Sequence, residues 1–214
     1  MTQYNGYQGY LRGHSRATHA RSDARDAHGV LLLQLSVNED TLLRVFSEED
    51  AATLFALTDQ NRSYLRQWLP WLDSTRTVAD SMAFILDELA RYHANRGFSC
   101  GIWYRGQLVG NIGFHDINWR ESKVEVGYWL SALFQGQGLM TNACRAMIDY
   151  AFNVLHLKQV DIRCATSNSR SRAIPQRLGF QEMGLVHHAE WLYDHFVDLV
   201  VYSMRAEVWQ ARAR

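Results

Sequence analysis

Apolar periodicities along this 214-residue chain predict a mixed α/β domain, with one central, mostly antiparallel sheet flanked by helices. Short apolar runs bounded by turn residues recur from Val30 onward, as strands do. Longer stretches repeat their apolar residues every three or four positions, as helices do. Placed in order, these segments read ββ-αα-βββ-α-β-α-ββ. The length fits one domain able to bury roughly two-thirds of its unfolded surface.

"VLLLQLS" and "TLLRVF" read as strands joined by the turn-forming "VNED". "SEEDAATLFALTDQNRSYLRQWL" opens with Ser47 ahead of two acids, an N-cap pattern, and places Ala51, Leu54, Phe55 and Leu57 or Thr58 on one side. It predicts a helix broken near Asn61 and ended by Pro70. "TVADSMAFILDELARYHANRG" repeats Val78, Met82, Ile85, Leu86, Leu89 and Tyr92 and closes at Gly97, a second helix. "FSCGIWY", "RGQLVGNIGFHDI" and "SKVEVGYWL" follow as three antiparallel strands, the first hairpin turning at Arg105-Gly106. In "LFQGQGLMTNACRAMIDYAF" a glycine loop precedes an amphipathic helix. Asn142, Arg145, Asp149 and Asn153 share its polar face, and Ala143, Met147, Tyr150, Ala151 and Val154 its apolar one. "KQVDIRCAT" is a strand, "SRSRAIPQRLG" a short helix ending at Gly179, and "FQEMGLVHHAEWL" with "FVDLVVYSM" a last hairpin turning through Tyr193 to His195.

Twenty-two basic and 22 acidic residues cancel, so no global field favours nucleic acid or an anionic membrane, and a charged partner must be met by a local patch. Cys100, Cys144 and Cys164 form no CxxC pair and are odd in number, which points to a reducing compartment. No apolar run reaches the roughly 18 residues of a membrane span, and the N-terminus lacks the order of a signal peptide. A cytoplasmic protein with neither nucleic acid nor membrane as partner is expected. Residues 1–29 show no period and read as a flexible N-terminal tail ahead of a domain over 30–214. Asp23 and Asp26 interrupt the tail's arginines and weaken its reading as an RNA-contacting arm.

Gly136 and Gly138 alone fit either a plain strand-to-helix turn or a loop where a phosphate meets bare backbone at a helix N-terminus. Neither the lysine of a P-loop nor the third glycine of a dinucleotide fingerprint is present. The wider context is more specific. "QGQGLM" resembles the Gln/Arg-x-x-Gly-x-Gly/Ala signature of the GNAT superfamily of acyl-CoA-dependent N-acetyltransferases, departing from it at Met140. "EVGYWL" resembles that family's splayed strand, and "NSRSRAIPQRLGF" its Asn-x-x-Ser helix followed by Gly-Phe. Together with "NRSYLRQWLPW" and "HHAEWL", these motifs are similar to the RimJ/RimL group, the ribosomal-protein N-terminal acetyltransferases, over roughly Leu31 to Trp209.

That resemblance implies a GNAT fold with acetyl-CoA as cosubstrate and no metal. It implies that Gln135, Gly136, Gln137, Gly138, Leu139, Met140 and Thr141 hold the pyrophosphate, with a modest adjustment of the loop at Met140. Backbone N–H groups of Tyr128, Trp129 and Leu130 would polarise the acetyl carbonyl and pair with the pantetheine arm. Asn168 would bond the pantetheine, Ser171 would donate to the departing thiolate, and Glu190 would be the general base. The residues taken alone leave other roles open: Asn168 and Ser171 suit a helix N-cap, and Glu190 suits a hairpin surface shared with His188 and Leu192.

Several other residues carry less chemistry. Adjacent His187 and His188 face opposite ways on a strand, against a shared metal site. Cys144 and Cys164 read as small core residues, Asp198 as an acid that needs a partner if buried, and the tryptophans as mostly core. Trp68 and Trp71 could wall an acceptor groove that Asn61 and Arg62 line. The expected activity is acetyl transfer to the α-amine of a protein, a ribosomal one by resemblance, with a homodimer among the assemblies considered. A small amine such as a polyamine, an amino acid or an antibiotic as acceptor, or a CoA-binding module without turnover, are the alternatives.

Overall fold

The computed structural model describes residues 25–27 and 29–212. Most of the tail expected over 1–29 lies outside the described residues. At its end Asp26 is buried, with its carboxylate 2.9 Å from His93 Nε2.

Among the described residues eight strands form one sheet, in the order β1-β2-β3-β4-β5-β6-β8-β7. They are β1 (Gln34–Ser36), β2 (Thr41–Val45), β3 (Phe98–Tyr104), β4 (Gln107–Phe114), β5 (Lys123–Leu130), β6 (Gln159–Ala165), β7 (Gln181–Leu192) and β8 (His195–Arg205). All neighbours are antiparallel except β5 and β6, which run parallel because α4 (Leu139–Asn153) is the crossover between them. Before β3 come α1 (Ala51–Gln60), α2 (Arg62–Leu65) and α3 (Val78–His93), with the break at Asn61 as expected; α5 (Ser169–Leu178) links β6 to β7. Helices α1 and α3 pack on each other and against β4 and β3, while α4 covers β4, β5 and β6 with α5 beside it.

Local chemistry sets these boundaries. Thr77 caps α3: its hydroxyl accepts from Asp80 N, and Asp80 returns the bond to Thr77 N at 2.8 Å. Gly179 ends α5 in the left-handed region at φ 74°. Three details differ from the sequence expectation. Only Gln34–Ser36 of the first apolar run pair as a strand, and Val30 and Leu31 stay exposed at that edge. Val154 lies just past the end of α4, where the helical face no longer continues, and is exposed. A last helix, α6 (Ala206–Arg212), was not anticipated; its buried Trp209 donates to Asp149 on α4 at 2.6 Å.

The entry to α1 hangs on one buried carboxylate. Asp50 accepts both terminal nitrogens of Arg44 at 2.9 and 2.8 Å, together with Ser47 N at 2.8 Å. Replacing Asp50 with Ala strands a buried guanidinium, so a loss of about 3 kcal/mol in unfolding free energy is expected from the denaturant midpoint at unchanged m-value.

Candidate active site

β5 and β6 pair over only three residues each, Lys123–Glu125 with Gln159–Asp161. Beyond that point β5 stays with β4 and β6 with β8, so the two strands part and a fork opens in the middle of the sheet. A cleft of about 1510 Å³ runs through it. Glu125 and Arg163 close its base, Oε2 to Nε at 3.0 Å.

On one side of the fork lies the glycine loop. Gly136 and Gly138 sit at φ 76° and 77°, which side-chain-bearing residues rarely adopt. A Cβ at Gly136 would meet nothing within 4 Å, and one at Gly138 only Asn142 Nδ2 at 4.0 Å, so the backbone here faces open space. Gly138 caps α4, whose first N–H groups carry the positive end of the helix dipole. Arg170 donates to Gln135 Oε1 and Arg177 to Thr141 Oγ1, each at 2.7 Å, and Arg145 also lines the cleft. The sequence reading missed these arginines. Arg170 and Arg177 are seven apart on α5, the spacing of one helical face, and that was the available signal. The Met140 side chain is buried in the core cluster.

Deeper in the fork, Asn168 Oδ1 accepts from Ser171 N at 3.1 Å and caps α5. Ser171 Oγ lies 3.2 Å from Cys164 Sγ and 3.4 Å from the Tyr128 hydroxyl, which itself donates to the Ser171 carbonyl at 3.1 Å. Burial pushes the Tyr128 phenol well above its usual range, so it stays a proton donor. Its side chain therefore joins Ser171 in a way that the backbone role expected for Tyr128 did not foresee. Burial also raises the thiols of Cys100, Cys144 and Cys164, which keeps them protonated and argues against an acyl-cysteine route.

Glu190 reaches the cleft from β7. The simple alternation expected around it fails at a bulge between Val186 and Glu190, where His188 takes φ 47°. Asp198 holds that bulge, accepting His188 N at 2.8 Å and meeting His187 Nδ1 at 2.9 Å. These two bonds, the backbone one first, hold the Asp198 carboxyl below the usual range. Asp198 thus has the partners its position demanded. Glu190 is half-buried, and burial, with the nearby Glu125 charge, raises its carboxyl above the ordinary value.

Across the cleft stand Trp68 and Trp71, the latter 6.4 Å from Trp129. Tyr193, in the β7–β8 turn, fastens this wall: its hydroxyl donates to Leu69 O and accepts from Leu72 N. Asn61 and Arg62 do not line the groove. Asn61 is buried and accepts from Ala132 N at 3.0 Å, and Arg62 donates to the carbonyls of Leu72 and Thr75. Trp119 and Trp191 are exposed and not core.

A family model described as "Acetyltransferase (GNAT) domain" matches residues 40–181. The chain belongs to the GNAT acetyltransferases. Among its relatives, "Putative ribosomal N-acetyltransferase YdaF" of Bacillus subtilis (strain 168) is 35% identical over 175 residues, covering 81% of this chain and 96% of the relative. "Ribosomal-protein-serine acetyltransferase" of Escherichia coli (strain K12) is 27% identical, covering 79% and 94%. Among solved structures, the microcin C7 self-immunity acetyltransferase MccE in complex with acetyl-CoA and AMP superposes with a TM-score of 0.76 at 28% identity, over 79% of this chain and 94% of that one.

The matched segment of this GNAT enzyme includes the glycine loop and the α5 cap but stops before Glu190, whose assignment therefore rests on its place in the cleft. A raised carboxyl is a cost to the charged native state above the ordinary glutamate value of about 4.3. Glu190→Gln is expected to raise the thermal midpoint at pH 7. That gain should shrink as the pH falls through the window just above about 4.3 and vanish below it, as read from melting curves at several pH values.

Proposed function

We propose that this GNAT enzyme acetylates the α-amine of a polypeptide N-terminus, and that a ribosomal protein is the acceptor, the class named in YdaF and in the Escherichia coli serine acetyltransferase. One observation carries the polypeptide part. Behind the base of the fork lies a second groove of about 730 Å³, past Asp116 and Lys123, and Arg91, His115, Glu125 and Arg163 line both it and the cleft. Mixed acids and bases line that groove, so it suits a chain leaving the reaction centre better than a closed pocket for a small amine would.

The residues of the loop side fit acetyl-CoA, which supplies a thioester acetyl group. Bare backbone at Gly136 and Gly138, the N–H groups of Leu139, Met140 and Thr141, and the flanking Gln135, Gln137 and arginines would receive the pyrophosphate. Tyr128 and Leu130 N–H groups, on the edge of β5 that has left its partner, would face the acetyl carbonyl and pantetheine, with Asn168 beside them; Trp129, expected to share this role, pairs with Asn111 and turns its N–H to β4. Glu190 takes a proton from the acceptor ammonium. Its raised carboxyl is a better match for an α-amine, ordinarily near 7.7 to 8.0, than an unperturbed glutamate would be. As nitrogen bonds to the carbonyl carbon and the carbon–sulfur bond breaks, the amine's remaining proton reaches sulfur through Ser171, whose hydroxyl gives its own proton to sulfur and takes that of the amine; at rest that hydroxyl donates to the Tyr128 oxygen at 3.4 Å.

Glu190→Gln should lower kcat by about a hundredfold or more while leaving the acetyl-CoA dissociation constant within about twofold. In the parent enzyme the acid limb of kcat/KM should fall above the ordinary glutamate range, because the base works only when deprotonated. CoA release with a panel of N-terminal peptides, polyamines and amino acids tests the acceptor. Faster turnover of small amines than of every peptide would favour the small-molecule reading, and tight acetyl-CoA binding without any turnover the module reading.

Gly138→Ala forces a side chain into the left-handed region, at roughly 1–2 kcal/mol. It is expected to weaken acetyl-CoA binding by about tenfold in calorimetry, with little change in KM for the acceptor.

A further inference from the structure

We infer that Asp198 is a positioning residue for Glu190: by holding the bulge in β7 it sets Glu190 opposite Val197, at the open end of the fork. This rests on the reading of Glu190 as general base. The register shows what the bulge does. β7 and β8 pair as Leu185 with Val200 and Val186 with Leu199, and again as Glu190 with Val197 and Trp191 with Phe196. Four steps along β7 are thus matched by two along β8, and Asp198 alone stands opposite His187, His188 and Ala189. Continued without a shift, the first register would put His188 opposite Val197 and Glu190 opposite His195. Glu190 would then lie about 7 Å farther along the strand, beside the hairpin turn.

The shift brings Glu190 to the cleft. Leu199 pairs with Ala165, the last residue of β6, and both line the cleft. Val197 lies two residues from Leu199 and so on the same face of β8, and Glu190 shares that face with its partner. Asp198 ties this arrangement together from both sides. Its carbonyl accepts Thr166 N at 3.0 Å, just past β6, while its carboxylate accepts His188 N at 2.8 Å and meets His187 Nδ1 at 2.9 Å. Thr166 leads into the Asn168 cap and Ser171, so one residue joins the segment that carries Ser171 to the one that carries Glu190. The bulge needs such a tie, because His188 takes φ 47°, a conformation that side-chain-bearing residues disfavour. His187 and His188 are exposed, so water can replace Asp198 at His188 N and little stability is lost. What is lost is the place of Glu190. Beyond it the chain is fastened again where Tyr193 meets Leu69 and Leu72, so a slackened bulge moves the residues between.

Asp198→Ala tests this, with acetyl-CoA and the fastest acceptor of the panel above. A fall in kcat of about thirtyfold is expected, with the acetyl-CoA dissociation constant within about twofold and the thermal midpoint little changed. The Glu190 carboxyl, followed by carbon-13 NMR, should titrate closer to the ordinary glutamate value, because a displaced Glu190 loses the burial that raises it. Asp198→Asn, whose side-chain oxygen still accepts His188 N, should keep kcat within about threefold of the parent. Adding His188→Gly to Asp198→Ala should recover part of the loss, since glycine adopts the left-handed φ unaided. That double variant carries the same measurements if Asp198→Ala does not fold. In a Glu190→Gln background Asp198→Ala should lower kcat by less than about threefold more, because the group it positions is gone. A full thirtyfold loss in that background, or unchanged kcat and titration in Asp198→Ala, overturns the positioning role and leaves Glu190 as base. Unchanged kcat in Glu190→Gln overturns the base and the positioning role with it.

Discussion

Everything at the site depends on two parallel strands that stop pairing after three residues. β6 is committed to β8 along its whole length, seven consecutive partners from Gln159 to Ala165, and β5 to β4 from Val126 to Leu130. From Gln159 to Asp161 β6 carries β5 on one edge and β8 on the other, and beyond that point its β5 edge is left open. A strand that leaves its neighbour presents N–H and C=O groups along one edge, and such groups in a sheltered place require partners. The Glu125–Arg163 pair sits at the apex, just where the ladder ends, and ties the two strands together there.

The fork separates two kinds of charge. Arg145, Arg170, Arg177 and the start of α4 lie on the loop side, whereas Glu190 lies opposite, with Glu125 paired to Arg163 and Glu88 to Arg91. On the proposed reading an anionic cosubstrate would meet the arginines and the α4 N-terminus, a local patch in a chain whose formal charges sum to zero. Desolvation works in the same direction. The burial that raises Glu190 makes it a stronger base than an exposed carboxylate, and the burial that raises Tyr128 keeps a donor beside Ser171.

What could be read from the sequence was whatever local periodicity and capping determine. The strands and helices from β2 through β8, the break at Asn61 and the left-handed stop at Gly179 all follow from spacing and cap residues within a few positions. The glycine loop and the α5 cap were legible because their motifs are contiguous. The misses have a common physical cause, a side chain reaching across the fold. The β7 bulge exists because Asp198 on the neighbouring strand accepts His188 N, which no alternation pattern in β7 can show. Asn61 and Arg62 looked like groove polar residues but are consumed by carbonyls and an N–H of distant loops. Helix α6 offers a single turn of apolar spacing and owes its place to Trp209 meeting Asp149.

Met140 shows how such a departure is absorbed. A small residue at that position would matter if its side chain pointed at the phosphates, since every added atom would displace ligand. Here the two left-handed glycines turn the chain before the helix begins, so that Met140 already lies in the first turn of α4 and packs inward. The surface offered to a ligand consists of backbone and of the open space above Gly136. The left-handed φ angles of Gly136 and Gly138 thus shape the loop, while the Met140 side chain packs inward from the first turn of α4.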